Sequence, residues 1–195
     1  MILYLDTETT GLYPGKICQL SYIMQDKSGV TAKNFFFSVD FVEYGAYLVH
    51  GLSPEILKEL SGGKVFADCI EEIERDFLSA GVIVSHNFSF DFSFLREEFL
   101  RAGKTFTFND SFCSMKNSVG ICKIPRKSGG YKYPKLSELT EHFYITDVEI
   151  RKATEKLFGD ARGYHDARFD TAAVYLAVNC EMEEDKTAER LKDYL

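Results

Sequence analysis

The sequence lacks a long hydrophobic run, and its first residues do not resemble an export signal. No uninterrupted apolar stretch approaches the roughly 18 residues that a membrane-spanning helix requires. The first ten residues, MILYLDTETT, contain neither a basic region nor a small-residue cleavage site, so they do not indicate a signal peptide. We therefore expect no membrane association.

Paired cysteines are also absent. The five cysteines are scattered, their number is odd, and no two of them form a Cys-x-x-Cys motif. This arrangement suggests neither a zinc knuckle nor a disulfide framework. Reduced thiols in a cytoplasmic protein are the expectation. The cysteines are Cys18, Cys69, Cys113, Cys122 and Cys180.

Basic residues are too few for broad binding to nucleic acid. With 23 basic and 30 acidic residues, the net charge is −7 at pH 7. Proteins that bind duplexes mainly through phosphates are basic, so the charge argues against non-specific duplex binding. It does not exclude a small site that holds a strand end through metal ions, because divalent cations supply positive charge locally.

What is present indicates one compact domain. The chain has 195 residues, of which 45% are hydrophobic and 27% charged, and it contains no repeat, low-complexity tract or linker. Strand-like segments come first and helical segments interleave later, which indicates an α/β or α+β class with a central mixed sheet. Strands are predicted at 1–11, 17–26, 30–41 and 82–87, and helices at 52–63, 65–81, 90–103, 135–143, 147–158 and 165–183.

Two carboxylates stand at the end of the first predicted strand. Asp6 and Glu8 are two positions apart in YLDTETTG, so their side chains point to one face, about 6.5 to 7 Å apart along the strand. Two carboxylates without a basic partner repel each other, and a divalent cation between them removes that cost. The alternative is a polar strand end that runs into a turn.

Two further acids interrupt apolar surroundings. Asp91 follows the apolar strand 82–87 at the start of a helix, where an acid also complements the helix dipole. Asp170 lies inside a helical run with His165 five residues before it. Taken separately, each also has an ordinary structural explanation as a helix N-terminal acid or a polar helix residue.

Together and in order, these segments resemble the DnaQ-like DEDD family of 3′–5′ exonucleases, the superfamily of proofreading subunits. DTETTGL resembles the first motif, VSHNFSFDFSFL the second, with its His-Asn-x-x-x-Asp core, and HDARFDTAA the third. Another subclass has a tyrosine four residues before the last aspartate, where this chain has Asp166, so the match is to the histidine subclass (DEDDh). VHGLSPEIL and YPKLSELTEHF are also similar, and the resemblance runs from about residue 2 to 178.

The resemblance implies a ribonuclease H-like α/β fold with a mixed sheet flanked by helices. It places the exonuclease domain at 1–180 and a short charged tail at 181–195. His165 would be the general base, a role that suits a side chain titrating near neutral pH. Two Mg²⁺ or Mn²⁺ ions, about 3.5 to 4 Å apart, would activate water and stabilise the departing 3′ oxygen. Their ligands would be Asp6, shared between both ions, Glu8, Asp91 and Asp170.

Substrate contacts are implied by the same resemblance. The backbone after Glu8 and the following leucine would meet the 3′-terminal nucleotide, with Leu12 against the base. For His50 the alternative is a surface-turn histidine, and for His86 a histidine that is hydrogen-bonded beside the sheet edge. The implied substrate-binding residues are Thr9, Thr10, Gly11, Leu12, His50 and His86.

Segment 123–135 is basic and contains two tyrosines. Lysines interleaved with tyrosines suit a surface that follows a single-stranded backbone and stacks on its bases. A solvated flexible loop is the alternative.

The sequence thus predicts a metal-dependent exonuclease acting on nucleic acid with a free 3′ end, first of all single-stranded DNA, and releasing nucleoside 5′-monophosphates. A polymerase-associated proofreading subunit and an RNA-trimming exoribonuclease are the alternatives. A catalytically inactive binding module is disfavoured because the four acids and His165 are all present. No apolar docking segment is visible in 181–195, which counts against a polymerase partner.

Overall fold

A mixed β-sheet forms the centre of the protein. The computed structural model describes residues 1–160, 163–184 and 188–195. Within these ranges the sheet has five strands in the order β3-β2-β1-β4-β5. The first three pair antiparallel, whereas β4 runs parallel to both β1 and β5. The strands are β1 (Ile2–Thr9), β2 (Ile17–Asp26), β3 (Gly29–Phe36), β4 (Val82–Ser85) and β5 (Ser111–Cys113).

Helices cover both faces of this sheet, as the α/β prediction requires. They are α1 (Tyr44–His50), α2 (Pro54–Ser61), α3 (Phe66–Ser79), α4 (Phe88–Arg101), α5 (Ser114–Asn117), α6 (Val119–Cys122), α7 (Leu136–His142), α8 (Asp147–Phe158) and α9 (Ala167–Glu184), followed by a 3₁₀ helix (Glu189–Tyr194).

Side-chain alternation along β1 divides the core into two layers. Leu3 and Leu5 pack with the aromatic side chains of α3 and α4. Ile2 and Tyr4 point to the other face and pack against α9. Because the strand period is two, residues 6 and 8 continue the α9 face, and Thr7 continues the α4 face.

Several elements differ from the predicted boundaries. The third strand ends at Phe36 rather than at residue 41, because the chain leaves the sheet and Ser38 N–H donates to the Lys64 carbonyl at 2.7 Å. Leu78 shares the helical spacing of the buried side chains of α3, yet it is 52% exposed. Helices α1, α5 and α6 and strand β5 lie in segments where no element is predicted.

The C-terminal residues pack against the second core layer. Ala188 and Leu191 are fully buried there. The division into a domain at 1–180 and a tail at 181–195 stays a prediction. All five cysteines are free. Among the described residues, no helix is long and apolar enough to cross a membrane.

Candidate active site

Strand β1 carries two of the predicted acids to its C-terminal end. The pairing of β1 with β2 shifts register between Glu8 and Thr9, so that Thr9 pairs with Ile17. The Ile17 N–H donates to Glu98 Oε1 of α4 at 2.9 Å. A buried carboxylate from α4 therefore supports the β2 backbone next to the bulge at Cys18.

Asp91 reaches the same region from the first turn of α4. Its side chain is buried, and its Oδ1 accepts a hydrogen bond from Thr7 Oγ1 at 2.8 Å. Since Thr7 lies between the two acids of β1, this bond fixes Asp91 beside them.

The first turn of α9 supplies the fourth acid, Asp170. The helix begins after Asp166, whose Oδ1 accepts from the Arg168 N–H at 3.1 Å as an N-cap residue does. Asp166 is also ion-paired with Arg168 at 2.6 Å. The His165 N–H donates to Asp170 Oδ2 at 2.9 Å. His165 has a φ of +68°, and its side chain is exposed.

The structure brings all five predicted catalytic residues together. They line one cleft of about 600 Å³, together with Phe90, Ser137 and Tyr164. Ligand atoms of Glu8, His165 and Asp170 lie within 4.8 Å of one another. The predicted catalytic residues in the cleft are Asp6, Glu8, Asp91, His165 and Asp170.

Burial and mutual repulsion make these acids resist ionisation. Burial raises the pKa of Asp91 to about 6 and that of Asp170 to about 7. Burial, followed by the charge of Asp170, raises the pKa values of Asp6 and Glu8 well above their usual range. Within the described part of the chain, no ion pair neutralises any of the four.

A divalent cation fits this arrangement. Asp170 Oδ1 is buried and has no hydrogen-bond partner among the described residues. Leaving a buried polar atom unpaired is costly, and several unpaired carboxylates together are more so. Oxygen ligands of this kind suit hard divalent cations. Asp6, Glu8, Asp91 and Asp170 are therefore the residues positioned to hold metal.

A second cavity of about 310 Å³ adjoins the cleft. The two share Thr7, Glu8 and Phe90, and residues of α1 line the second. Of the predicted substrate-binding residues, the structure places four in this cavity. They are Thr9, Gly11, Leu12 and His50.

Thr10 is the predicted contact that lines neither cavity. Its side chain is buried, and its Oγ1 accepts from the Lys16 N–H at 3.0 Å, which closes the β1–β2 turn. Leu12, in contrast, is 80% exposed at the rim of the second cavity.

The two predicted histidines both form hydrogen bonds within the fold. His50 Nδ1 accepts from the Leu52 N–H at 3.0 Å, so the proton lies on Nε2, which donates to the Thr9 carbonyl at 3.2 Å. Burial lowers the pKa of His50, which favours this neutral form.

His86 lines the catalytic cleft. Its Nδ1 lies 3.0 Å from Ser114 Oγ, and its Nε2 donates to the Pro134 carbonyl at 3.0 Å. Burial lowers its pKa to about 4. His86 is therefore neutral near pH 7 and connects the end of β4 to the segment before α7.

Helix α1 and Glu98 are among the parts of the site that the sequence did not reveal. Ala46, Val49 and His50 follow the i, i+3, i+4 spacing of one helix face, which is only a weak signal because α1 has no buried residue. Glu98 gave no comparable signal, because it occupies an ordinary position in a charged helix.

Comparison with known proteins identifies the family. The model of the exonuclease family RNase_T matches residues 3–176. The chain belongs to this exonuclease family. The DnaQ-like resemblance is thereby confirmed, and divalent metal use is typical of the family.

Curated relatives include DNA polymerase III epsilon subunits. That of Salmonella typhimurium is 30% identical over 131 residues, covering 62% of this chain and 52% of that protein. That of Rickettsia prowazekii is 32% identical over 150 residues, covering 73% and 62% respectively. The chain spans about half the length of the first curated relatives it matches.

Among solved structures, Escherichia coli exonuclease I in complex with a dA16 oligonucleotide is similar in fold. The TM-score is 0.72 at 19% identity, and the match covers 98% of this chain and 43% of that chain. This similarity confirms the ribonuclease H-like fold predicted from the sequence.

Proposed function

We propose that the protein is a metal-dependent 3′–5′ exonuclease that hydrolyses single-stranded DNA and releases nucleoside 5′-monophosphates. The observation that carries the proposal is the convergence of four mutually repelling carboxylates, three of them buried and Asp6 partly buried, in one open cleft. Support for a single-stranded substrate comes from exonuclease I, which was solved in complex with a dA16 oligonucleotide.

The acids Asp6, Glu8, Asp91 and Asp170 hold two Mg²⁺ or Mn²⁺ ions in this proposal. When bound, these ions supply a nucleophilic water and neutralise charge at the departing 3′ oxygen. Asp91 is held for this role by Thr7, and Asp170 by the His165 N–H.

His165 is the general base in this proposal. Its side chain is exposed at the cleft, within reach of solvent water, while its backbone is bound to Asp170. Proton transfer by a positioned histidine contributes about 10² to 10⁴-fold to a rate. Neutral His86, whose two ring nitrogens are already bonded, holds the cleft wall instead.

The adjoining cavity receives the 3′-terminal nucleotide. Thr9, Gly11 and Leu12 line it, and His50 holds the Thr9 carbonyl in place. Thr10 acts indirectly, by closing the turn that presents these residues.

A labelled-substrate assay tests the proposal. The purified protein, with Mg²⁺ or Mn²⁺, should shorten 5′-labelled single-stranded DNA one nucleotide at a time, and duplex DNA and RNA run in parallel measure its preference. Asp6→Asn and Asp170→Asn should abolish degradation while the far-UV circular dichroism stays unchanged. Full activity in both variants would contradict the proposal.

A proofreading role is the second candidate, because the curated relatives are polymerase III epsilon subunits. Co-purification of the full protein with a DNA polymerase tests it. A cytoplasmic location stays a prediction.

A further inference from the structure

Residues 123–135 form a basic hairpin beside the catalytic cleft, which we call the basic hairpin. Pro125 and Tyr131 form an antiparallel bridge, and the Lys132 N–H donates to the Ile124 carbonyl at 2.9 Å. The turn is made by Gly129 and Gly130, with φ values of +88° and +73°. Glycine adopts such angles without strain, so the turn is built into the sequence.

The hairpin ends at the wall of the cleft. The Pro134 carbonyl accepts the hydrogen bond from His86, and Pro134 is buried. The next residues, Lys135, Leu136 and Ser137, line the cleft with the four acids. A strand that leaves the cleft on this side passes the hairpin.

The charge of the hairpin is unlike that of the rest of the chain. It has five basic residues and no acidic one, in a protein of net charge −7. Lys132 is neutralised by Glu138 of α7 at 2.7 Å. The other four are exposed and form no ion pair with a described residue, so they present concentrated positive charge to solvent. These are Lys123, Arg126, Lys127 and Lys135.

Two aromatic rings accompany this charge. Lys132 faces α7, and side chains alternate along an extended segment. Its neighbours Tyr131 and Tyr133 accordingly face solvent, with exposures of 47% and 50%. The Arg126 guanidinium lies 5.9 Å from the centre of the Tyr133 ring, which orders both groups. The ring of Tyr131 is free to stack on a base.

We propose that the basic hairpin binds single-stranded DNA on the 5′ side of the nucleotide being removed. Arg126 and Lys127 contact backbone phosphates, and Tyr131 stacks on a base. Positive charge combined with aromatic rings is how sequence-independent single-strand sites are made. The inference rests on the proposed function, because the strand's 3′ end must occupy the catalytic cleft.

Substrates of two lengths distinguish the contribution of the basic hairpin from that of the catalytic site, because only a long strand can reach the hairpin. The double variant Arg126→Gln/Lys127→Gln is compared with Lys27→Gln/Lys192→Gln, which removes the same charge from exposed positions near the opposite end of β1. For each protein, kcat/KM is measured on a twenty-nucleotide oligothymidylate and on the dinucleotide, and the ratio of the two is compared.

We expect the ratio to fall at least about tenfold in the hairpin variant and to stay at the parental value in the control. The slope of log(kcat/KM) against log(salt) for the long substrate should become less steep by about 1.4, since each single-strand phosphate contact contributes about 0.7. A parental ratio and slope in the hairpin variant would overturn the hairpin proposal alone. Hydrolysis of neither substrate by the parent protein would overturn the proposed function and this inference together.

A matched pair of variants at Tyr131 tests the stacking contact. Tyr131→Ala should lower the same ratio about fivefold or more, because stacking on an aromatic side chain contributes at least that much per base. Tyr131→Phe keeps the ring and should retain the parental ratio. Equal values for the alanine, phenylalanine and parent proteins would overturn the stacking assignment.

Discussion

At the scale of single residues, Asp170 illustrates how the charged acids of the site destabilise the metal-free fold. It is buried, one of its oxygens is unpartnered among the described residues, and its pKa is raised to about 7. In an unfolded chain an aspartate has a pKa near 3.9. Between about pH 4 and pH 7 the unfolded chain therefore releases a proton that the fold retains. The free energy of unfolding falls across this range, and the destabilisation is complete above it.

Asp170→Asn should therefore stabilise the metal-free protein at high pH. In EDTA at pH 8 we expect its free energy of unfolding to exceed that of the parent by about 1 to 3 kcal/mol, because the charge at a buried site is removed. At pH 4 this difference should shrink. Urea unfolding at both pH values measures it, with Asp193→Asn as an exposed control. An equal difference at the two pH values would contradict the electrostatic explanation.

His165 allows two roles that a single variant distinguishes. Its ring lies close enough to Glu8 and Asp170 to share a metal ion, and it is also exposed to attacking water. If it is the base, His165→Ala should lower kcat by about 10² to 10⁴-fold. The rise in melting temperature on adding Mn²⁺ should then persist. Loss of that rise would instead make His165 a metal ligand.

At the scale of elements, a helix or strand can be predicted from the sequence when its own residues show a clear hydrophobic pattern. Strand β1 and helix α9 were predicted because they combine clear apolar runs with recognisable motifs. Helix α1 has no buried residue, so its periodicity is weak. Strand β5 has three residues and depends on pairing with β4, which local sequence does not encode.

The candidate site divides in the same way. The four acids and His165 were named from sequence because motif order fixes them. The hydrogen bond between Ile17 and Glu98 joins residues 81 positions apart, so no local sequence pattern predicts it. Thr10 lines neither cavity because its side chain closes the β1–β2 turn, and the motif alone does not specify the geometry of that turn.

The bond from Glu98 to Ile17 makes α4 a support for the end of β1. Glu98→Ala would leave the buried Ile17 N–H without its acceptor and should lower the free energy of unfolding by about 2 to 3 kcal/mol. Because Ile17 pairs with Thr9 beside the bulge, KM should rise as well. Glu97→Ala on the same helix, more exposed to solvent, is the control for urea unfolding and steady-state kinetics. Equal stability of the two variants would show that the bond contributes little.

At the scale of the whole molecule, charge is divided between regions. The protein is acidic overall, and the basic hairpin concentrates four cations beside the catalytic cleft that form no ion pair with a described residue. Because the rest of the protein is acidic, its surface attracts duplex DNA only weakly. In the proposed function, a strand is held by local contacts near its 3′ end.

The two ends of the chain meet at the edge of the fold away from the catalytic acids. The N-terminal amine of Met1 donates to the Tyr194 carbonyl, and the Tyr194 hydroxyl donates to Asp110 Oδ2 at 2.9 Å. Between these contacts and α9, Leu191 is fully buried against the second core layer. The C-terminal residues thus contribute to the second core layer.

Leu191→Ala should therefore destabilise the whole domain. We expect the free energy of unfolding to fall by about 2 to 4 kcal/mol, the usual cost of removing a buried leucine side chain. Leu100→Ala, the same substitution at a position that is 64% exposed, should change it by less than about 0.5 kcal/mol. Urea unfolding measures both variants. Because Leu191 lies outside the cleft, kcat of the folded fraction should stay near the parental value. An unfolding free energy equal to that of Leu100→Ala would mean that the C-terminal residues do not stabilise the domain.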